Sequence, residues 1–212
     1  MKLRNLSLIC FGCLALNFLA CSSKKLKSAQ SSVPEIVYST TGSKSIPDWV
    51  YQKPVFEKDD RIFVAGVIDL NGNQNPSQGL AAADLQARAE IVKMIESRMS
   101  LQLQLANEGF GYSEQVLHQI VNMAAGVEAL QNIRIEQRGY AQIQSQVGGE
   151  TINRYTCFSQ ASVARADLDQ MIQRSLENSE KRGDISELFR EKVEKSWREF
   201  FNSKNLDASE AQ

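Results

Sequence analysis

Four cysteines and one histidine are the side chains of this 212-residue chain best suited to chemistry. Cys10 and Cys13 have the C-x-x-C spacing of a redox pair, but both sit inside the uncharged run 6–20. That run follows Lys2 and Arg4, the layout of a secretory signal that is cut away. Cys157 then lies alone in the part of the mature chain after Cys21, within Tyr155-Thr156-Cys157-Phe158. No internal disulfide is expected. A free cysteine in such a strand-like run behaves as a small buried hydrophobe, with a reactive or intermolecular thiol as the alternative. His118 follows Glu114 at the spacing that pairs side chains on one helical face. A metal centre needs three or four converging ligands, and neither H-x-x-x-H nor H-E-x-x-H occurs. No metal or cofactor is therefore expected. A Cys157–His118 pair would have to be assembled by the fold. Gly66, Gly72 and Gly79 form no phosphate-binding loop, and Gly66 reads as a close-packing position or a bulge. Asp48, Asp59, Asp60, Asp167 and Asp169 would act as acids only in a pocket that perturbs them. Asp59-Asp60 reads as a solvated turn before the first strand. No catalytic residue is expected, and the chain is read as a non-enzyme.

Cys21 is different. It follows Phe18-Leu19-Ala20 and precedes Ser22, Ser23, Lys24 and Lys25. A small residue directly before cysteine at the end of a signal resembles a bacterial lipoprotein signal. There the thiol receives a diacylglyceryl group and the chain is cut before the cysteine. Phe18 departs from the leucine usual at that place. A soluble secreted product and an uncleaved anchor are the other outcomes. The apolar run is shorter than the roughly 20 residues that span a bilayer, which disfavours the anchor. Acylation at Cys21 would bind the chain firmly to a membrane, since each buried methylene contributes about 0.8 kcal/mol and two chains suffice. Ser22, rather than an inner-membrane-retaining Asp, makes the outer membrane the expected location.

Loss of residues 1–20 removes Lys2 and Arg4 from the 24 basic residues and none of the 25 acidic ones, so the charge moves from −1 to −3. No basic bias points to nucleic acid. Residues 21–45, rich in Ser, Lys, Thr and Gln, read as a tether, with a possible short edge strand at 33–38. Residues 46–180 read as the folded domain, a size that supports one core.

Within it, 61–68 (RIFVAGVI) reads as a buried strand and 71–76 as a turn-rich loop. A long helix over 79–107 follows. Ala81, Leu85, Ala89, Val92, Ile95, Met99 and Leu103 mark its apolar face, and its small residues Ala81, Ala82, Ala83, Ala87 and Ala89 suit close approach to a sheet. A second helix is expected from Ser113, then a hairpin of 133–146 and 153–164 turned by Gly148-Gly149. Asp167 is placed to cap a helix running to about 178. Trp49, after Pro47, reads as a core or edge anchor.

Residues 181–212 hold the clearest amphipathic helix, with Asp184-x-x-Glu187 as a capping box. Ile185, Leu188, Phe189, Val193, Trp197, Phe200 and Phe201 share one side. That side either docks on the domain or is offered to a partner. Phe189, Trp197, Phe200 and Phe201 are the candidate partner face, including for a homo-oligomer. The polar face lacks the basic bias expected for lying on a membrane.

Pro47-Asp48-Trp49-Val50, Phe63-Val64-Ala65-Gly66-Val67, the helix with Ala83 and Ala87-Arg88-Ala89, and Tyr155-Thr156-Cys157-Phe158 together resemble the Lpp-twenty family of bacterial outer-membrane lipoproteins. The resemblance spans roughly 47–176. The strand–helix–strand–strand plan is also similar to the N-terminal domain of flagellar assembly protein T. The resemblance implies a scaffold or interaction role without catalysis and carries over no active-site residue. The expected fold is α+β. A small, mainly antiparallel sheet in the order strand–helix–helix–strand–strand–helix is packed by the long helix, with the amphipathic helix added at the C-terminus. The expected function is a membrane-anchored envelope lipoprotein whose partners are the membrane, through Cys21, and other envelope proteins. A small-ligand-binding lipoprotein, with its pocket near Trp49 or the sheet face, is the alternative.

Overall fold

A computed structural model describes residues 33–52 and 54–207, excepting the side chains of 127–129 and 200–207. The fold is α+β. Five strands, β1 (Glu35–Ser39), β2 (Val55–Lys58), β3 (Arg61–Asn71), β4 (Arg134–Val147) and β5 (Glu150–Ala164), form one sheet in the order β1-β4-β5-β3-β2. Every pairing is antiparallel. The helices are α1 (Asp48–Tyr51), α2 (Pro76–Asn107), α3 (Glu114–Ala124), α4 (Val127–Asn132), α5 (Arg165–Lys181) and α6 (Glu187–Asp207). The expected order corresponds to β3-α2-α3-β4-β5-α5. Sequence reading missed α1 and β2, each four residues long, and α4.

The hairpin forms as its turn dictates. Gly148 and Gly149 both take positive φ, 63° and 90°, and Val147 pairs with Glu150. Such a two-residue turn matches the twist of its strands. Asp59 and Asp60 repeat the device between β2 and β3, with φ of 50° and 56°. They are thus a hairpin turn inside the sheet, and the expected first strand, β3, is the third in chain order. β1 was foreseen only as a possible edge strand. It pairs with β4 across a bulge between Ile36 and Tyr38, so the sheet reaches back into the 21–45 segment. β3 outruns β2, and its outer edge is closed locally. The Ala65 amide donates to Pro54 O at 2.8 Å and the Val67 amide to Gln86 Oε1 at 3.0 Å.

α2 lies across one face of the sheet. Asn75 caps it, its side chain accepting from the Ser77 amide at 2.9 Å, and Pro76 opens the first turn. The buried residues are Gly79, Ala83, Ala87, Ile91, Ile95, Met99, Gln102, Leu103 and Ala106. The expected stripe holds from Ile95 onward but is out of phase before it. Ala81 and Ala89 are exposed, as is Leu85 at 69%. Gly66 decides the phase. A Cβ there would meet the Ala83 carbonyl oxygen and lie 2.5 Å from the Ala87 nitrogen. Backbone meets backbone at this crossing, so the residues facing it must be small, and the larger Leu85 turns outward.

Ile62, Val64, Ala161 and Val163 of the sheet share one core with apolar residues of α2, α3, α5 and α6. The opposite sheet face carries a smaller cluster, in which Val50 of α1 packs with Ala141 and Phe158, flanked by Ile36, Ile46, Trp49 and Val67. β5 is therefore buried on both faces from Thr156 to Val163. Its polar members on the two faces are bonded: Ser159 Oγ donates to Asp84 Oδ1 at 2.6 Å, and Thr156 Oγ1 to Asp69 Oδ1 at 2.6 Å. Buried hydroxyls require such partners.

Two caps differ from expectation. α5 starts at Arg165 with Ala164 at the cap position, and Asp167 falls in the first turn. Before α6, Ser186 Oγ accepts from the Phe189 amide at 3.3 Å, while Asp184 binds Arg182 Nε at 2.8 Å. The serine nearer the helix takes the capping role because its hydroxyl reaches the third helical amide.

Candidate functional site

Cys21, and Cys10 and Cys13 before it, lie outside the described residues. The tentative partner face on α6 is corrected where it can be seen. Phe189 is 0% exposed and Trp197 3%, both inside the main core. Phe189 sits 5.2 Å from the Phe110 ring and 4.7 Å from Tyr112, centroid to centroid. Trp197 Nε1 donates to Asp169 Oδ1 at 2.8 Å. Polar contacts fix the same docking: Ser196 Oγ donates to Gln102 Oε1 at 2.5 Å, and the Ser186 amide to Tyr112 Oη at 2.8 Å. Arg190 joins Glu180 at 2.6 Å and Glu194 at 2.8 Å, and these carboxylates hold its guanidinium above the usual range, against burial. The apolar face of α6 turns inward, where Phe189, Val193 and Trp197 join the core residues of α2 and α5. Leu188, expected on that face, is 66% exposed. The side chains of Phe200 and Phe201 lie outside the described residues.

Cys157 is free and fully buried, as its surroundings in sequence suggested. It packs against Gly79, where a Cβ would come within 2.5 Å of Sγ. Burial, and then the Asp69 carboxylate, push the thiol pKa up. A protonated, enclosed thiol is inert. In the folded chain, Cys157 is expected to alkylate on the order of a hundredfold more slowly than in denaturant. Mass spectrometry of the peptide spanning residue 157 measures this, and equal rates in both states would contradict the burial. His118 is exposed and lines a cleft with Ser100 and Gln104 of α2. Gly79 and Ser100 are about 30 Å apart along α2 at the helical rise, so the fold does not assemble a Cys157–His118 pair.

Among the described residues no three His, Cys, Asp or Glu side chains are grouped to hold a metal, and no helix is long and apolar enough to cross a membrane. Trp49 is half-buried, edge-on to Phe158 at 5.6 Å, and so anchors the smaller cluster. The His118 cleft, of about 340 Å³, is also lined by Asn107, Tyr112, Glu114 and Leu117. A smaller hollow of about 290 Å³ adjoins the Asp59-Asp60 turn and Arg165.

One surface feature was missed in the sequence. Tyr38 of β1, Tyr140 of β4 and Tyr155 of β5 stand in a row across three neighbouring strands. The ring centroids are 5.6 Å apart for Tyr38–Tyr140 and 5.9 Å for Tyr140–Tyr155, the second pair edge-to-face at 80°. They lie on the α2 side of the sheet, since Tyr140 pairs with Cys157 and Cys157 touches the start of α2. Tyr38 is 51% exposed and the other two half-exposed. Gln142, Gln144 and Asn153 continue the same face, with Gln144 Nε2 donating to Asn153 Oδ1 at 3.3 Å. Desolvation, then the neighbouring Tyr38 hydroxyl and Tyr155, raise the Tyr140 pKa. The Tyr140 phenol therefore stays neutral.

No family model, curated protein or solved structure matches this chain. The function has to be argued from the chain's own residues. Turn pairing could have brought Tyr140 near Tyr155, since Gly148-Gly149 sets the hairpin register. Nothing local to Tyr38 announces that it joins them.

Proposed function

We propose that this chain is a membrane-anchored lipoprotein of a bacterial envelope, with a noncatalytic scaffold or interaction role at the outer membrane. The observation that carries the reading is the N-terminal sequence: a positive start, an uncharged run of 15 residues, Ala20-Cys21, then Ser22. The resemblance of its short motifs to the Lpp-twenty family supports the same reading. The mechanism is tethering. Lipid on Cys21 confines the domain to a surface and raises its effective concentration for partners there. Metabolic labelling with a palmitate analogue tests it. The wild type is expected to incorporate label and Cys21→Ala to lose at least about 90% of it, as expected if one site carries the acyl chains. An unlabelled wild-type protein would sink the anchor.

The His118 cleft favours a second reading as a small-ligand-binding lipoprotein. Its volume falls at the lower end of small-molecule sites, and it combines an apolar floor at Leu117 and Val121 with Ser100, Gln104, Glu114 and His118.

A further inference from the structure

We propose that the sheet end formed by the β4–β5 turn and the loop before α2 rests against the lipid surface that Cys21 enters, with Val147 and Ile152 at the contact. The inference deepens the anchored reading and rests on it.

The sequence leaves that end almost free of charge. In a chain in which 23% of residues are charged, neither 70–83 nor 139–149 contains a charged residue. The fold brings these two runs to one end. Asn71 pairs with Arg154 in the β3–β5 register, and a Cβ on Gly72 would lie 2.7 Å from the Asn153 Cβ. β1 begins at this end as well, since Glu35 pairs with Gln144. Of residues 33–35, 71–78 and 146–152, only Glu35 and Glu150 are charged. Arg154 stands two residues further in on β5 from Ile152. Val33, Val147 and Ile152 are exposed here. Val147 and Ile152 share one sheet face, because Ile152 pairs with Ser145 and side chains alternate along a strand. The opposite end carries Lys58, Asp59, Asp60, Arg61 and Arg165.

Chain length selects the occupant. Val33 follows Cys21 by 12 residues, which reach at most about 40 Å. β5, with 15 residues, is about as long at the rise of a strand. With Cys21 in a bilayer, bringing the Asp59-Asp60 end to the lipid would stretch the connecting residues to their limit, at a large cost in entropy. The uncharged end is the one that the anchor keeps near the surface. Its chemistry suits the headgroup layer. Phosphate oxygens, ester carbonyls and water there replace the hydrogen bonds of the Asn and Gln amides, while the two β-branched side chains reach the acyl boundary. Three apolar side chains are too few to hold a free chain on a bilayer, but an anchor makes so weak a contact sufficient. Glu35 and Glu150 set this contact apart from one driven by anionic lipid, which takes a basic cluster. A stable protein partner would need a broad complementary surface, which apolar side chains spread around a strand end do not offer.

Fluorescence quenching of the acylated full chain in phosphatidylcholine vesicles tests the proposal. Cys157 is buried and acylation occupies Cys21, so Thr151→Cys takes an environment-sensitive thiol dye selectively. Lipids with a nitroxide on the headgroup are expected to quench this dye at least about twofold, and the same dye on Lys58→Cys less than about 1.2-fold. Salt at about 0.5 M should leave the quenching in place, since no cation makes the contact. Val147→Asp should remove at least about half of it. Val147 is exposed beside the turn, so the variant folds, and unchanged circular dichroism verifies it. The contact is overturned by an unquenched dye at 151, by equal quenching at 58, or by a Val147→Asp chain quenched like wild type. Quenching that requires phosphatidylglycerol and disappears in salt overturns it too. Palmitate labelling of the same preparation separates the two ideas: a labelled chain with any of these results loses the contact alone, whereas an unlabelled chain loses both.

Discussion

Gly66→Ala is expected to remove about 3 kcal/mol or more of folding stability, the upper end of the cost of overpacking. The added methyl would strike the backbone of α2 at Ala83 and Ala87, and backbone in a 32-residue helix cannot swing aside as a side chain can. The only relief is to lift α2 off the sheet, opening the core that Ile62, Val64, Ile91 and Ile95 share. Typical domains are stable by roughly 5–15 kcal/mol, so the variant should lose much of its margin. Urea unfolding followed by circular dichroism measures it. Leu85→Ala is the matched control: Leu85 points away from the crossing, and its loss should stay within about 0.5 kcal/mol. A larger cost for Leu85→Ala than for Gly66→Ala would mean that the helix packs through its other side.

Phe189→Ala should cost about 3–5 kcal/mol, the range for truncating a buried aromatic. Phe189 closes a ring cluster with Phe110 and Tyr112 and joins α6 to the rest of the core. Its chain neighbour Leu188, 66% exposed, should tolerate alanine within about 0.5 kcal/mol. The pair distinguishes two uses of one amphipathic helix. If the Phe189 side faced a partner, Phe189→Ala would leave the unfolding midpoint in place and weaken only association. In the packing described above, the midpoint itself falls.

What the sequence made legible follows the range of the forces involved. The β4–β5 hairpin could be read because Gly148-Gly149 sets its register locally. The latter half of α2 could be read because Ile95, Met99 and Leu103 are large and periodic. Its first half could not. Ala81, Ala83, Ala87 and Ala89 are alike to any hydrophobic pattern, and Gly66, a residue of another element, decides which of them are covered. β2 escaped because four residues give too little alternation. The cap of α6 was misassigned because Asp184 and Ser186 both satisfy the local pattern, and only the Arg182 contact draws Asp184 away. The amphipathic face of α6 was plain, but whether it is turned inward depends on the surfaces that α2 and α5 leave open. For the candidate sites the limits are similar. Cys21 is singled out by a contiguous signal, in a segment outside the described residues. The tyrosine row joins residues 38, 140 and 155 through two strand registers, each of them shifted by an irregularity.

The position of β1 has a mechanical consequence. Among the described residues it is the strand nearest the N-terminus, it lies at the sheet edge, and it is held on one side only, by the pairings from Glu35–Gln144 to Ser39–Ala141. Any tension passed into the domain from its N-terminal side reaches these few hydrogen bonds first. The β4–β5–β3–β2 sheet beneath does not depend on them for its own register. A pull can therefore peel β1 away while the remaining strands hold, which makes the strand a yielding link on the N-terminal side of the domain. With β1 goes Tyr38, so a load from that side would also dismantle the outermost ring of the tyrosine row.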